Sequence, residues 1–324
     1  MLNKYLINNF FNSFFTLFAI LFILASMVLL LTISNVTAVL KINLAEFTYL
    51  YILSLPEIVF YTLPLTFFIT SALSIARLFE NLELISVLAL GTSPKKILKP
   101  FFILSLFLTI FLLIITFLSI PTSQILYKNF MNVKKTESQF NFSASSIGQK
   151  FGDWNLFISG KSHNSYQDVI LFNPDKNSFI TANSAQTYRV GNYFVLALTD
   201  GIIYSKNKDK LSEIKFQKFH LNQKISTTVV SLGTISEYIH QYKDKTNKYF
   251  LIALFPFVSF FFLAGISFFH YRYEKNRSVI YSLAISIGYY VSVFISYKKL
   301  YAVFIIVPVF LILSFFVNKK AKRF

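Results

Sequence analysis

The chain contains no cysteine. Disulfide staples and thiolate chemistry are therefore excluded, although the compartment is not fixed by this, because many chains in oxidising compartments also lack cysteine. Charge is scarce too: 14% of residues are Asp, Glu, Lys or Arg, against 55% hydrophobic residues with 40 Phe among them. That balance belongs to a membrane protein rather than a soluble domain. Catalytic motifs are also missing. There is no Gly-x-Ser-x-Gly elbow and no Gly-x-x-x-x-Gly-Lys-Ser/Thr loop, and the run from Gly91 to Lys96 lacks the spacing that wraps phosphates with backbone N–H groups. His163, His220, His240 and His270 are scattered, with no partner at metal-ligand spacing. The sequence predicts no enzyme, no metal and no cofactor held by this chain. Long linkers, low-complexity tracts and internal repeats are likewise absent.

What the chain does have is long apolar runs. A hydrocarbon core of about 30 Å takes roughly 20 helical residues to cross, and runs of that size fall at residues 10–34, 55–77, 100–120, 249–271, 279–297 and 300–317. The first is too long for a signal-peptide core and lacks a small-residue cleavage site, so it reads as a retained helix. Six transmembrane helices are expected, with residues 1–121 and 249–324 forming two halves of a bundle. Deeply placed charges are nearly absent from these runs, which weakens an ion-coupled carrier. Energy, if used, would come from another protein.

The formal net charge of +17 raises the question of nucleic acid. Its placement answers it. Lys4, then Arg77, Lys95, Lys96 and Lys99, then Arg272, Lys275 and Arg277, then Lys319, Lys320, Lys322 and Arg323 fall at alternate crossings, leaving Lys41 and Lys298-Lys299 for the short opposite loops. The positive-inside rule then puts both termini in the cytoplasm. The charge is a topology signal, and no nucleic-acid partner is expected.

Residues 122–248 fall on the outer side, and here the pattern changes. The stretches DWNLFISG, YQDVILFN, SFITANSAQTYR, YFVLALTDGIIYS and SEIKFQKFHLN are strand-sized, rich in β-branched and aromatic residues, and separated by polar clusters. No helical periodicity interrupts them until about Ile235 to Lys245. An all-β sandwich, jelly roll or partial barrel is predicted, with Asp200-Gly201 either a hairpin turn or a bulge within a strand. Phe157, Ile158, Val169, Leu171, Phe194, Leu196 and Leu198 would line apolar faces, either as a plain core or as a groove for acyl chains.

Residues 80–100, ENLELISVLALGTSPKKILKP, form neither a span nor an ordinary loop. On a helical projection Glu83 shares a face with Val87 and Leu90, while Leu84, Leu88 and Gly91 form the neighbouring one. Gly91 suits the position just past a helix end, Ser93 an N-cap and Pro94 the first turn of the next helix. The segment reads as a short helix at about 80–91 with an apolar surface. It either lies on lipid headgroups or docks on a protein; Glu80 and Glu83 favour the protein, because interfacial helices present basic residues to anionic lipid.

These residues bring out a likeness. The entry KYL, the stretch LPEIVFYTLPL, the run ELISVLALGTSPKKILKP, the outer β domain and three closing spans follow the order of the LptF/LptG family, the permeases of the lipopolysaccharide export ABC transporter. The chain resembles that family over essentially its whole length, with PEIVFYTLPL and QDVILFN closer to LptF. The resemblance implies a Gram-negative inner-membrane protein of six helices with a periplasmic β-jellyroll-like domain. It also implies an LptF–LptG heterodimer on two copies of an LptB-like ATPase, which supplies ATP and Mg, and hand-over of lipopolysaccharide to LptC- and LptA-like bridge proteins. Glu83, Leu84, Val87, Leu88, Leu90 and Gly91 then become the ATPase-coupling residues, although the family often carries a basic residue or histidine near position 88. Lys41 is either a snorkelling interface lysine or, by the resemblance, a partner for the sugar phosphates of lipopolysaccharide. Phe157, Leu171, Phe194 and Leu196 become candidate acyl-chain contacts. Two rivals are an ABC-associated permease that transmits force without carrying lipid, and a membrane-anchored scaffold.

Overall fold

The computed structural model describes residues 2–37, 40, 42–139, 145–162, 165–175, 177–207, 210–225, 228–268, 276–299 and 302–318. Two compact units are present: Met1–Ser34, Thr48–Ile125 and Val230–Phe324 form one, Asn35–Phe47 and Leu126–Val229 the other.

The first unit is a helical bundle. Helix α1 (Leu2–Thr37) and helix α2 (Leu44–Glu80) contain the first two expected spans, a short α3 (Glu83–Ala89) follows, and α4 (Pro94–Ile114) begins the third. The third run does not stop at 120. A π-helical turn at Ile115–Ser119 joins α4 to α5 (Ile120–Gln139), and the helical path Pro94–Glu137 is 44 residues long, about 66 Å at 1.5 Å per residue. The cause is Pro121. Its missing N–H and the clash of its ring with the carbonyl four residues back would break a regular helix, and the wide turn before it absorbs both. The helical segment 120–139 is a correction to the expectation of strands from residue 122, and the helix runs across the expected boundary at 121–122.

The fourth expected span, 249–271, is also not one helix. It is divided into α7 (Lys243–Ala253), α8 (Phe255–Phe260) and α9 (Leu263–Ser267), preceded by α6 (Leu232–Gln241). Pro256 sits at the start of α8 and cannot donate to the preceding turn. Broken helix is tolerated at membrane depth only where protein buries it, and Leu251, Ile252, Ala253, Phe255 and Leu263 are all fully buried. Asn318, at the end of α11 (Ala302–Asn318), repairs the second break: its Oδ1 accepts from the Gly265 N–H at 2.7 Å and its Nδ2 donates to the Phe261 carbonyl at 2.6 Å. The fifth span is α10 (Ser278–Ser296). Among the described residues four helices are long and apolar enough to cross a membrane; α11 is shorter and equally apolar.

The bundle core is aromatic and hydroxylic. Phe10 meets Phe67 and Phe101 edge-on, and Phe255, Tyr289 and Phe310 form a second group in which the Tyr289 hydroxyl donates to the Leu251 carbonyl at 2.7 Å. Thr62, Thr66, Thr109, Thr116 and Ser286 each donate to the carbonyl four residues earlier. These bonds let small side chains pack helix on helix without leaving a hydroxyl unpaired in an apolar interior.

The second unit holds one antiparallel sheet of six strands in the order β1 (Ser145–Phe151), β2 (Trp154–Ser162), β3 (Ser165–Asn173), β4 (Ser178–Val190), β5 (Tyr193–Asn207), β6 (Lys210–Lys224). The five expected strands are β2 to β6; β1 is additional. The inserted all-β domain is thus present, and its strands follow one another up and down. There is no Greek-key crossover among the described residues, so the jelly-roll likeness lies in a self-covered interior and not in the connectivity. Leu156, Leu171, Leu196 and Leu198 have no exposed surface, and among the described residues the strands themselves, with Val133 of α5, supply what covers them. A single sheet achieves that only by curling.

Asp200-Gly201 lies inside β5, so it is not a hairpin turn, and the pairing of β5 with β4 and β6 keeps one register across it with no inserted residue. Asp200 has φ 53°, Asp168 on β3 has φ 49°, and the register aligns both beside Asn183 of β4. Inward-facing positions change parity there: Tyr166 and Val169, like Ala182 and Ala185, are both buried though three residues apart. The three strands are creased along one line. Gly201 is required at that crease, since a Cβ would lie 2.1 Å from the Thr181 carbonyl oxygen and 2.4 Å from the Phe216 ring.

Candidate functional site

The segment after α2 is built as two sharp stops around one short helix. α2 ends at Glu80, and the chain turns through Leu82 in the left-handed region, φ 66°. A branched residue there costs roughly 1–2 kcal/mol, which the surrounding contacts must offset. Residues 80–82 therefore lie outside the short helix, a correction to its expected start. At the other end the Gly91 N–H bonds to the Leu88 carbonyl at 2.9 Å and the Thr92 N–H to the Val87 carbonyl at 3.4 Å, with Gly91 at φ 83°. This is a Schellman stop, which needs a residue free to adopt positive φ. Ser93 at the N-cap position and Pro94 in the first turn then start α4 as expected, although the Ser93 hydroxyl makes no capping bond.

The faces of α3 group as the helical projection has them, and burial shows which one the chain covers. Leu84 is buried, and Leu88 and Ile85 pack beside it against the bundle core that includes Phe79, Ile97 and Phe101. Leu84 and Leu88 thus hold the helix to its own chain. Val87 and Glu83 are half-buried, whereas Leu90 is 86% exposed and Leu82 41% exposed. The outward apolar surface is carried by Leu90 and Leu82, and Leu82 was missed because its left-handed turn cannot be read from spacing.

Both acids of the segment have partners. The Tyr5 hydroxyl of α1 donates to Glu83 Oε2 at 2.5 Å, and Asn276 Nδ2, two residues before α10, donates to Glu80 Oε2 at 3.1 Å. Asn276 Oδ1 also accepts from the Ser278 N–H at 3.2 Å. Next to these, Arg77 Nη1 donates to Ser13 Oγ at 3.3 Å. Leu6 and Phe10 are buried in the same core cluster, so the first turns of α1 are fastened beside α3.

A second polar knot sits elsewhere in the bundle. Glu57 of α2 accepts from the Tyr249 hydroxyl at 2.8 Å and from the Gln124 side-chain amide Nε2 at 3.0 Å, joining α2, α5 and α7. Lys248 lies 5.0–5.5 Å from the ring centres of Tyr61, Tyr249 and Phe294, an aromatic surround favourable to a cation. Sequence reasoning missed this knot. Its one signal was an acid inside the apolar stretch LPEIVFYTLPL.

In the sheet, Leu171, Phe194 and Leu196 are brought together in the covered interior with Ile158, Val169 and Leu198. Phe157 is not with them: strand alternation turns it to the opposite face from Leu156 and Ile158, where it is 37% exposed. Lys41 lies outside the described residues. No group of His, Asp or Glu among the described residues is arranged to hold a metal ion.

No curated protein matches the chain. The family model for the lipopolysaccharide export system permease LptF/LptG matches residues 4–318, nearly all of the 324. That match covers the bundle, the short helix between its two stops and the inserted sheet together, and the chain belongs to the LptF/LptG family of lipopolysaccharide export permeases.

Proposed function

We propose that this chain is one of two permease subunits of an ABC transporter that extracts lipopolysaccharide, or a shorter lipooligosaccharide, from the outer leaflet of the inner membrane. The observation that carries the reading is α3. A seven-residue helix is stopped at both ends, fixed to the bundle by Leu84 and Leu88, and followed directly by Leu90, which is exposed among the described residues. Such a helix is suited to receiving force from a protein seated on it. In this reading both termini are cytoplasmic and the sheet is periplasmic.

The partner is an LptB-like ATPase, two copies of which serve this chain and a second LptF/LptG permease. ATP and Mg belong to that partner, whose closure moves α3 and the bundle behind it. Withdrawing an acyl chain from a bilayer costs about 0.8 kcal/mol per CH₂, so extraction needs an external energy source. The sheet interior, with Leu171, Phe194 and Leu196, then receives acyl chains. It is closed in this structure, so reception requires the curled sheet to part before the lipid passes to LptC- and LptA-like bridge proteins.

Co-purification in mild detergent tests this. The ATPase is expected to accompany the wild-type chain and to be lost with Leu90→Glu, which changes an exposed side chain. A wild-type chain that brings down no ATPase would overturn the reading.

A further inference from the structure

The two acids beside α3 are bonded to two different helices, and those helices share a property. The middle of α1 exposes Ile20, Ile23, Leu24, Met27, Val28 and Leu31, and α10 exposes Ile280, Leu283, Ile287, Val291 and Ile295. Both are apolar helices with broad faces that nothing described in this chain covers. In a membrane those are the faces that meet lipid or a second permease.

We infer that the hydrogen bonds Tyr5–Glu83 and Asn276–Glu80 are a direct mechanical link from the α3 segment to α1 and α10, with Tyr5 and Asn276 as positioning residues. This deepens the proposed function and rests on it. The geometry supports a link distinct from the covalent route. Motion of α3 reaches α2 and α4 through the backbone, since both flank it in sequence. It reaches α1 and α10 only through side chains, and 78 and 196 residues separate the bonded pairs. The bonds bracket Leu82, whose left-handed backbone forms the bend, so a change at the bend alters both together. Asn276 is fitted to transmit: one end of its amide holds Glu80 while the other holds the first N–H of α10. At α1 the pull acts beside buried Leu6 and Phe10, at one end of a long helix whose middle is mostly exposed and meets α2 where the Tyr51 hydroxyl donates to Ser26 Oγ at 3.1 Å, so a displacement at that end tilts the open face.

The absence of cysteine makes the test clean. Spin labels on Leu24→Cys and Ile287→Cys would report the α1–α10 distance in the assembled complex with the second permease and the ATPase, in vesicles of phosphatidylethanolamine and phosphatidylglycerol. Tyr5→Phe removes one hydroxyl and keeps the ring. Asn276→Asp removes the donor to Glu80 and keeps the acceptor for Ser278. We expect a nucleotide-dependent change of distance in the labelled parent, a smaller change in each variant and none in the double variant, with bound ATPase unchanged in all. A double variant that moves like the parent, or a parent that binds ATPase and hydrolyses ATP without any distance change, overturns the link and leaves the transporter reading standing. A parent that recruits no ATPase overturns both.

Discussion

Helices α1 and α2 are nearly equal in length and opposite in character. The most apolar stretch of α1 has a mean hydropathy of 2.8 and is 6% buried; that of α2 has 1.8 and is 72% buried. The greasier helix is the one left uncovered. In water the ordering would be reversed, but within lipid there is no hydrophobic gain from placing one apolar helix against another, and close packing with satisfied hydroxyls takes over. α2 accordingly carries Thr62, Thr66, Thr70, Ala72 and Ala76 in its buried part, whereas α1 offers large aliphatic side chains along its open middle. The buried helix builds the chain's own core, and the open helix is kept for what lies outside it.

The contrast can be broken at several points. The largest effect is expected where α3 is fixed to that core: Leu84→Ala should cost about 2–5 kcal/mol, read as a lower thermal midpoint in detergent. Overpacking α2 comes next. Ala72→Leu, at a fully buried position, should cost about 1–3 kcal/mol in the same measurement, and the equivalent gain of volume on α1, Ala25→Leu, should cost less. Replacing the left-handed residue, Leu82→Gly, removes a penalty and should stabilise by about 1 kcal/mol, while reducing the outward apolar surface. The smallest effect belongs to α1: Leu24→Ala should change the stability of the isolated chain by less than about 0.5 kcal/mol. A large loss from Leu24→Ala in the isolated chain would contradict the assignment of the α1 middle to outside contacts.

What was legible in the sequence was local. The stop at Gly91, the restart at Ser93 and Pro94, five of the strands and most of the apolar runs follow from residue chemistry within a turn or two. Hydropathy failed where burial decides. It cannot distinguish a lipid-facing helix from the broken run through α8 and α9, whose core residues are buried and where Asn318 satisfies backbone groups more than 50 residues away. The third apolar run ends at 120, whereas the helix continues through Pro121, because the π-helical turn that accommodates the proline is a structural response and not a composition. β1 escaped because SSIGQKF has little large apolar alternation; Phe151 at its end belongs to the sheet interior. Leu84 and Leu88 share a face as the projection gives, but projection yields relative angles without saying that this is the side the rest of the chain covers.

The most direct measurement is release of lipopolysaccharide from vesicles holding this chain with the second permease and the ATPase. The account predicts release to a soluble acceptor that depends on ATP and is lost with Leu90→Glu, while the variant chain remains folded. ATP hydrolysis by a properly docked complex with no lipid leaving the membrane would contradict it.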